Sequence, residues 1–331
     1  MPRHPSLRLA PLPAALLVLA LAAPLQGQGL EDRLRVLGEE NGRRYSHPVS
    51  AGLAAGLATG WFHSARPLRP LGFDLSIRAM GTLVPEEDET FEPVLPSSIT
   101  VPELDGRTFS EPYGAVTART PTAVGEGPGV TVELRPALRD SLEKYGLSRD
   151  RFDLRFPDGF DIPAVPLAVI QGSVGLPLGT EATARLIPSI EVDEDVGSLS
   201  SFGVGLKHSI DQWIPGRTPV DLALEGGIQS FEAGDYLEAD SRHLSLVVSR
   251  TVGVLTFYGA GGLESTDIDV SYTLANPVPG EDDVEIAFSD EGENTSRLTA
   301  GFNLDLTFLQ LNAGYTLADY QVLNASFGLS F

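Results

Sequence analysis

The last three segments of the chain alternate between apolar and polar or small side chains at every second residue. In the final segment the odd positions from Leu323 to Phe331 are apolar, and the even positions from Asn324 to Ser330 are polar or Gly. Residues 307–317 and 297–306 repeat this pattern. Side chains of a strand point alternately to opposite faces, so this period predicts β-strands with one apolar face. Segments of about ten residues exceed the usual strand of a globular protein and match the length that crosses a bilayer at a tilt.

The polar face mixes Gly, Ser, Thr and Asn with charges of both signs, as the lining of a barrel lumen does. An exported soluble β-sandwich also alternates in this way and remains the alternative. Strand length and the mixed charges favour the barrel. The candidate lumen-lining residues are Asp74, Arg78, Arg185, Glu191, Lys207, Asp221, Glu225, Arg297 and Asp305. We expect cross-strand ion pairs among them, above all Lys207 with Asp221 or Glu225, and expect Leu224, Leu304, Leu311, Leu323 and Phe327 to face lipid.

The fold class predicted is all-β, an antiparallel transmembrane β-barrel of about 12 strands, within a range of 10 to 14. Eleven strands are predicted near 51–62, 72–84, 165–175, 181–191, 200–209, 219–230, 241–251, 252–274, 284–306, 307–317 and 320–331. A single-chain barrel has an even number of strands, so at least one more is expected, from 113–120 or 129–135. The final strand is expected to pair with 51–62.

The N-terminal residues predict an exported protein. Arg3 and Arg8 precede an apolar run at 13–23 that is too short for a spanning helix, which is typical of a signal peptide. The predicted organisation is therefore a signal peptide at 1–29, a short periplasmic or luminal segment with a helix at 30–50, and a barrel at 51–331.

The stretch 85–164 interrupts the barrel pattern. It contains ten prolines, which exclude regular central strands over most of its length. Helices are predicted at 136–147, which begins with Pro136, and at 30–37. This proline-rich, partly helical segment is expected to form a plug in the lumen or a periplasmic insert, with a solvated loop as the alternative.

Composition excludes several classes of function. The chain has no Cys and a net charge of −22, which excludes disulfide scaffolds and makes nucleic acid an improbable partner. The best enzyme-like pair is His208 with Ser209, but neighbours in a strand point to opposite faces. The acidic loops at 193–195 and 281–283 could hold Ca²⁺, although solvated charge is the simpler interpretation. We therefore predict no enzyme activity, no metal and no cofactor.

Two segments carry a resemblance to a known family. Residues 175–191 (GLPLGTEATARLIPSIE) and 202–216 (FGVGLKHSIDQWIPG) resemble an uncharacterised family of bacterial outer-membrane barrels of unknown function. The terminal alternation with Phe327, Leu329 and Phe331 resembles the assembly signal of such barrels. In architecture alone, the chain is distantly similar to the fatty-acid-transporter barrel superfamily. The resemblance implies fold and location and transfers no catalytic residue.

Two classes of function follow from these observations. The first is a passive conduit or binding barrel for a small or hydrophobic solute, and the second is a non-transporting structural or surface-exposed barrel. Both predict location in the bacterial outer membrane, with membrane lipid and the barrel-assembly machinery as partners. An open or filled lumen distinguishes the two classes.

Overall fold

The computed structural model of the chain describes residues 38–114, 118–147, 152–193, 197–216, 218–274 and 284–331. The predicted signal peptide and the predicted helix at 30–37 lie outside these residues. Eleven long strands in the described part form one antiparallel sheet. They are β1 (Phe73–Leu83), β2 (Ala164–Leu176), β3 (Thr180–Asp193), β4 (Gly197–Ser209), β5 (Asp221–Ala233), β6 (Leu237–Val252), β7 (Leu255–Leu274), β8 (Val284–Glu291), β9 (Ser296–Leu306), β10 (Leu309–Leu317) and β11 (Gln321–Ser330).

Ten of these strands close into a barrel. The last strand pairs with the first, from Asp74 opposite Ser330 to Leu83 opposite Gln321. Within the described residues, β8 stands outside the wall and pairs with the far part of β7, Asp267–Leu274. The predicted antiparallel all-β barrel is therefore confirmed, whereas the count of twelve is too high and ten lies at the lower limit of the predicted range.

The predicted strand at 51–62 is wrong, because these residues belong to a helix and the turn after it. Helix α1 runs over Gly38–Ala58. Every residue from Ala51 to Ala58 is buried, so this stretch has no polar face from which a period could be read. Its Ala-rich composition favours a helix. The partner of β11 is accordingly β1, which begins at Phe73.

The described residues between 84 and 163 form a cap with a hydrophobic core of its own. Its regular elements are α2 (Pro136–Lys144), the 3₁₀ turns Glu86–Asp88 and Pro102–Leu104, and the short paired strands Thr90–Phe91 with Thr120–Pro121, Ser98–Val101 with Arg107–Ser110, and Thr131–Val132 with Leu154–Arg155. The helix predicted at 136–147 is confirmed. The additional wall strand is expected from 113–120 or 129–135, but no described residue of either range belongs to the barrel wall.

The barrel has two different rims. One rim carries three short connections, at 177–179, 253–254 and 307–308. The start of β1, the end of β11 and the 3₁₀ turn Asp211–Trp213 lie at the same rim. We call this the short-turn rim. The opposite rim carries the cap, and we call it the cap rim. Among the described residues, no helix is long and apolar enough to cross a membrane.

Candidate functional site: a plugged lumen

The predicted lumen-lining charges fall into two groups. Six of them are buried inside the barrel: Asp74, Arg78, Arg185, Lys207, Glu225 and Arg297. Asp221 and Asp305 are only partly buried, at the short-turn rim, where Asp221 accepts two hydrogen bonds from Arg66 at 3.0 and 3.1 Å.

Glu191 faces outward, contrary to the prediction. The register between β3 and β4 shifts near the cap rim, where Ile187 pairs with Ser201 but Ile190 pairs with Leu199. The extra residue in β3 forms a bulge, and a one-residue slip exchanges the two faces of a strand. Ile190 therefore packs against the core inside the barrel, and Glu191 is exposed.

The lumen is filled by α1 and by residues 59–66 rather than by the proline-rich segment. The second half of α1 consists mainly of Ala and Gly, which gives a thin helix. A Cβ placed on Gly52 would lie 2.6 Å from Val165 Cγ2, and one on Gly56 would lie 3.3 Å from Leu167 Cδ2. Leu57 and Ala58 are completely buried. The small side chains therefore let the helix fit inside a ten-strand wall.

Three wall arginines fix the end of this helix. Backbone carbonyls at a helix C-terminus lack intrahelical partners and are electronegative. Four consecutive carbonyls here accept hydrogen bonds from side chains: Leu57 from Trp61, Ala58 from Arg297, Thr59 from Arg185, and Gly60 from Arg78. We call Arg78, Arg185 and Arg297 the arginine collar. Because the three come from β1, β3 and β9, the collar ties the plug to widely separated parts of the wall.

Acidic partners compensate buried basic groups in the lumen. Lys207 Nζ lies 3.0 Å from Glu181, Arg297 lies 2.8 Å from Glu264, and His243 Nε2 lies 2.9 Å from Glu225. The predicted pairing of Lys207 is therefore wrong. Lys207 stands opposite Glu225 in the register between β4 and β5, not opposite Asp221, and its ion pair is made across the other edge of β4.

Trp61 occupies a notch in the wall below α1. Gly205 and Gly227 pair directly between β4 and β5, and a Cβ on either would lie within about 3 Å of the Trp61 ring. The guanidinium of Arg185 lies 4.1 Å from the ring centroid, and the His243 ring lies 4.9 Å away on centroids. The indole thus fills space that side chains on these two strands would otherwise occupy.

At the cap rim, α1 is held by His47. Its Nδ1 lies 2.7 Å from Asp290 of β8, and its Nε2 lies 3.2 Å from Glu293. The hydrogen bond to Asp290 raises the pKa of His47, with further contributions from the charges of Glu293 and Asp88. Asp88 accepts a hydrogen bond from Tyr320 at 2.6 Å, and burial raises the pKa of that phenol. These contacts connect plug, cap and wall at one rim.

The predicted assembly signal lies on the closing strand. Phe327 and Phe331 are exposed on the outer face, and Leu329 is partly buried. The backbone of Phe331 exchanges two hydrogen bonds with Phe73, at 2.8 and 3.0 Å.

His208 and Ser209 have separate hydrogen-bond partners, and the acidic loops at 193–195 and 281–283 lie outside the described residues except for residue 193. No group of three or more His, Asp or Glu side chains in this part of the chain is placed to bind a metal ion. His208 lies 2.8 Å from Thr180, while Ser209 donates to Asp211 at 2.6 Å. Several polar atoms in the lumen are buried without a hydrogen-bond partner among the described residues, including Asp74 Oδ2, Glu225 Oε2 and Arg297 Nε.

Sequence reasoning missed Glu181, Glu264, His243 and Trp61. The first three lie on the inward faces of β3, β7 and β6, so extending the alternation of those strands would have identified them. Trp61 follows a helix where the sequence predicts a strand, and no pattern in the sequence indicates its notch.

The chain is similar to several solved structures. No curated protein matches the sequence. Among solved structures, the chain is similar to the attachment invasion locus protein Ail of Yersinia pestis, with 13% identity over 45% of this chain and 93% of that chain and a TM-score of 0.23. It is also similar to CdiB from Acinetobacter baumannii (8% identity, 80% of this chain and 60% of that chain, TM-score 0.17) and to a BenF-like porin from Pseudomonas fluorescens Pf-5 (8%, 78% and 98%, TM-score 0.17).

At these TM-scores the likenesses carry no argument about function. A family model, described as a family of unknown function (DUF6588), matches residues 10–331. Because this match covers nearly the whole chain, wall, cap and plug together, the protein belongs to the DUF6588 family of unknown function.

Proposed function

We propose that this protein is an outer-membrane barrel that is closed at rest, carries its cap at the cell surface and has no enzymatic activity. The filled lumen is the observation that carries the proposal. Leu57 and Ala58 of α1 are completely buried, and the turn after α1 places Trp61, Phe62 and Ala65 in a second buried cluster with wall residues. A passive open pore has no such core in its lumen.

The outer face of the wall supports location in a membrane. Large apolar side chains are exposed on strand after strand, for example Ile77, Phe202, Leu224, Leu246, Phe257, Phe302, Leu311, Leu323 and Phe327. A soluble monomer exposes apolar patches of at most a few hundred Å². An apolar ring around the whole barrel is stable in lipid, and the outer membrane is where such barrels occur.

The rims support an orientation. Outer-membrane barrels have short periplasmic turns and longer external loops, and both ends of the chain's wall lie at the periplasmic rim. Two connections at the cap rim, 234–236 and 318–320, are also short, so the orientation rests on the longest connection, the cap between β1 and β2, and on the two ends of the wall. Assigned in this way, the short-turn rim faces the periplasm and the cap rim faces the cell exterior. The cap core, which includes Phe91, Val101, Leu134, Leu142 and Phe156, is a folded unit suited to surface contacts.

A conduit for a small or hydrophobic solute is the second candidate. The observation in its favour is the polar inner face, with buried atoms such as Asp74 Oδ2 and Glu225 Oε2 that lack a partner among the described residues. Such a conduit requires α1 to leave the lumen, and so requires the arginine collar to release the helix end.

Conductance in planar bilayers distinguishes the two candidates. We expect the purified wild-type chain to insert and remain silent. Replacing Arg185 and Arg297 together by Ala removes two donors from the end of α1, and we expect this variant to show intermittent or steady conductance. Arg242→Ala is the matched control, because Arg242 is exposed on the outer face of β6 and does not contact the plug, and this variant should stay silent.

Steady conductance of the wild-type chain would contradict the closed state and favour the conduit. Conductance equal in Arg242→Ala and in the collar variant would show that the collar does not hold the plug.

A further inference from the structure

Hydrogen bonds between the plug and the wall show the direction in which the chain passes through the barrel. Successive plug residues contact the wall in order from the cap rim to the short-turn rim. Near the cap rim, Thr82 donates to the carbonyl of Gly52 at 2.7 Å. Lower on the same strand, Arg78 donates to the carbonyl of Gly60 at 2.8 Å. The descent then continues to the short-turn rim, in hydrogen bonds from Ala65 to Ser249, from Leu68 to Glu181 and from Leu71 to Gly175.

The beginning of α1 belongs to the cap. Asn41 exchanges two hydrogen bonds with the backbone of Val94, both 2.8 Å, and the Tyr45 hydroxyl donates to the carbonyl of Asp158 at 3.0 Å. Tyr45 is also part of the buried core of the cap. Wherever the cap lies, the first turns of α1 therefore lie with it.

The threaded segment extends over the full length of a wall strand. Gly52 contacts Thr82, next to the last residue of β1, and Gly72 precedes the first residue of β1, Phe73. The 11 residues of β1 rise about 3.3 Å each and extend about 36 Å along the tilted strand, and the hydrocarbon core of a bilayer is about 30 Å thick. Residues 59–72 then reach the short-turn rim, where the chain reverses and enters β1 beside Phe331.

We propose that the lumen carries the chain's own polypeptide across the outer membrane, so that α1 begins at the cell surface and enters the barrel from outside. This inference rests on the proposed function for the orientation of the barrel. The lumen then contains a segment of the chain itself. This segment is a helix with small side chains on its second half, which packs against wall residues such as Val165 and Leu167. The export pathway delivers the chain to the periplasm, so the first turn of α1 must pass to the outer side during assembly.

Single-cysteine labelling in intact cells tests this proposal, because the chain contains no Cys of its own. The positions are Glu39→Cys in the first turn of α1, Tyr145→Cys in the cap and Leu178→Cys in a short turn, all three exposed. A membrane-impermeant maleimide is applied before and after the outer membrane is permeabilised, and heat-modifiable migration verifies that each variant is folded. We expect Glu39→Cys and Tyr145→Cys to be labelled equally under both conditions, and Leu178→Cys only after permeabilisation.

The outcomes separate this inference from the proposed function. If Tyr145→Cys reacts in intact cells but Glu39→Cys reacts only after permeabilisation, the threading is wrong while the orientation stands. If Leu178→Cys reacts in intact cells and the other two do not, the orientation itself is wrong. If all three react only after permeabilisation, the cap is not at the cell surface and both proposals fail.

Discussion

The arginine collar provides hydrogen bonds both for its own buried guanidinium groups and for the backbone carbonyls at the end of α1. A buried guanidinium costs several kcal/mol unless its donors are paired, and a buried helix end leaves carbonyls without partners. Arg78, Arg185 and Arg297 supply donors where the carbonyls of residues 58–60 need them. The positive charge also lies at the electronegative end of the helix. Removing the plug therefore leaves donors of these arginines without acceptors, and removing the arginines leaves the carbonyls at the end of α1 without donors.

His47 makes the contact at the other end of the plug dependent on pH. The hydrogen bond to Asp290 and the negative charges of Asp290, Glu293 and Asp88 raise its pKa above the ordinary value of 6.5. A group with a raised folded pKa stabilises the fold fully below its unfolded pKa and loses that effect as pH rises through the folded pKa. We expect the thermal midpoint of the detergent-solubilised chain to fall as pH rises above 6.5, and expect His47→Gln to flatten this decline. His208→Gln, at the opposite rim, is the control and should keep the wild-type profile. The same decline in His47→Gln and wild type would refute the assignment.

At the scale of elements, α1 fits inside the wall because its lumen half lacks large side chains. Gly52 and Gly56 face Val165 and Leu167 of β2 at distances that leave no room for a larger side chain. Pro48 lies within the helix, where it removes one backbone hydrogen bond and favours a bend between the cap half and the lumen half. The helix therefore combines a bulky half in the cap with a thin half in the lumen.

Gly52→Leu tests this fit. Its Cβ alone would meet Val165 Cγ2 at 2.6 Å, so we expect overpacking to cost about 1–3 kcal/mol of unfolding free energy, measured by denaturant titration. The second substitution Val165→Ala should restore part of the loss by making space. Gly114→Leu is the control, because nothing lies within 4 Å of a Cβ at that cap position. Equal losses at Gly52 and Gly114 would mean that the helix is not tightly seated.

The difference between elements with two unlike faces and elements buried on all sides explains which of them the sequence predicts. Wall strands have an apolar outer face and a polar inner face, so their alternation is readable. The stretch 51–58 is buried on all sides, and no alternation of polarity distinguishes a helix from a strand there. Glu191 was misplaced because a bulge inverts the faces of β3, and bulges leave no fixed pattern. Lys207 stands opposite Glu225 of β5 and opposite Glu181 of β3, and the sequence does not indicate with which of these two neighbours its side chain pairs.

At the scale of the whole molecule, closure depends on the two ends of the wall. The final strand pairs on one side with β10 and on the other with β1, and the backbone of Phe331 completes the seam with Phe73. The plug reaches the wall at the same rim, since Leu71 donates to the carbonyl of Gly175 two residues before β1 begins. The barrel seam and the exit of the plug are thus adjacent, so a fault at the C-terminus affects both.

Two variants of the last residue, Phe331, distinguish a role in closing the barrel from a role in recognition by the assembly machinery. Deleting Phe331 removes two backbone hydrogen bonds and an outward ring that is 64% exposed, whereas Phe331→Ala removes the ring alone. If the ring is read by the assembly machinery, both changes should lower the amount of heat-modifiable, membrane-inserted protein to a similar extent, measured by fractionation and by electrophoresis with and without heating. Phe308→Ala, an exposed aromatic in a short turn at the same rim, should insert normally. Loss only on deletion would assign the effect to the β1–β11 seam, and normal insertion of both variants would contradict any role of Phe331 as an assembly signal.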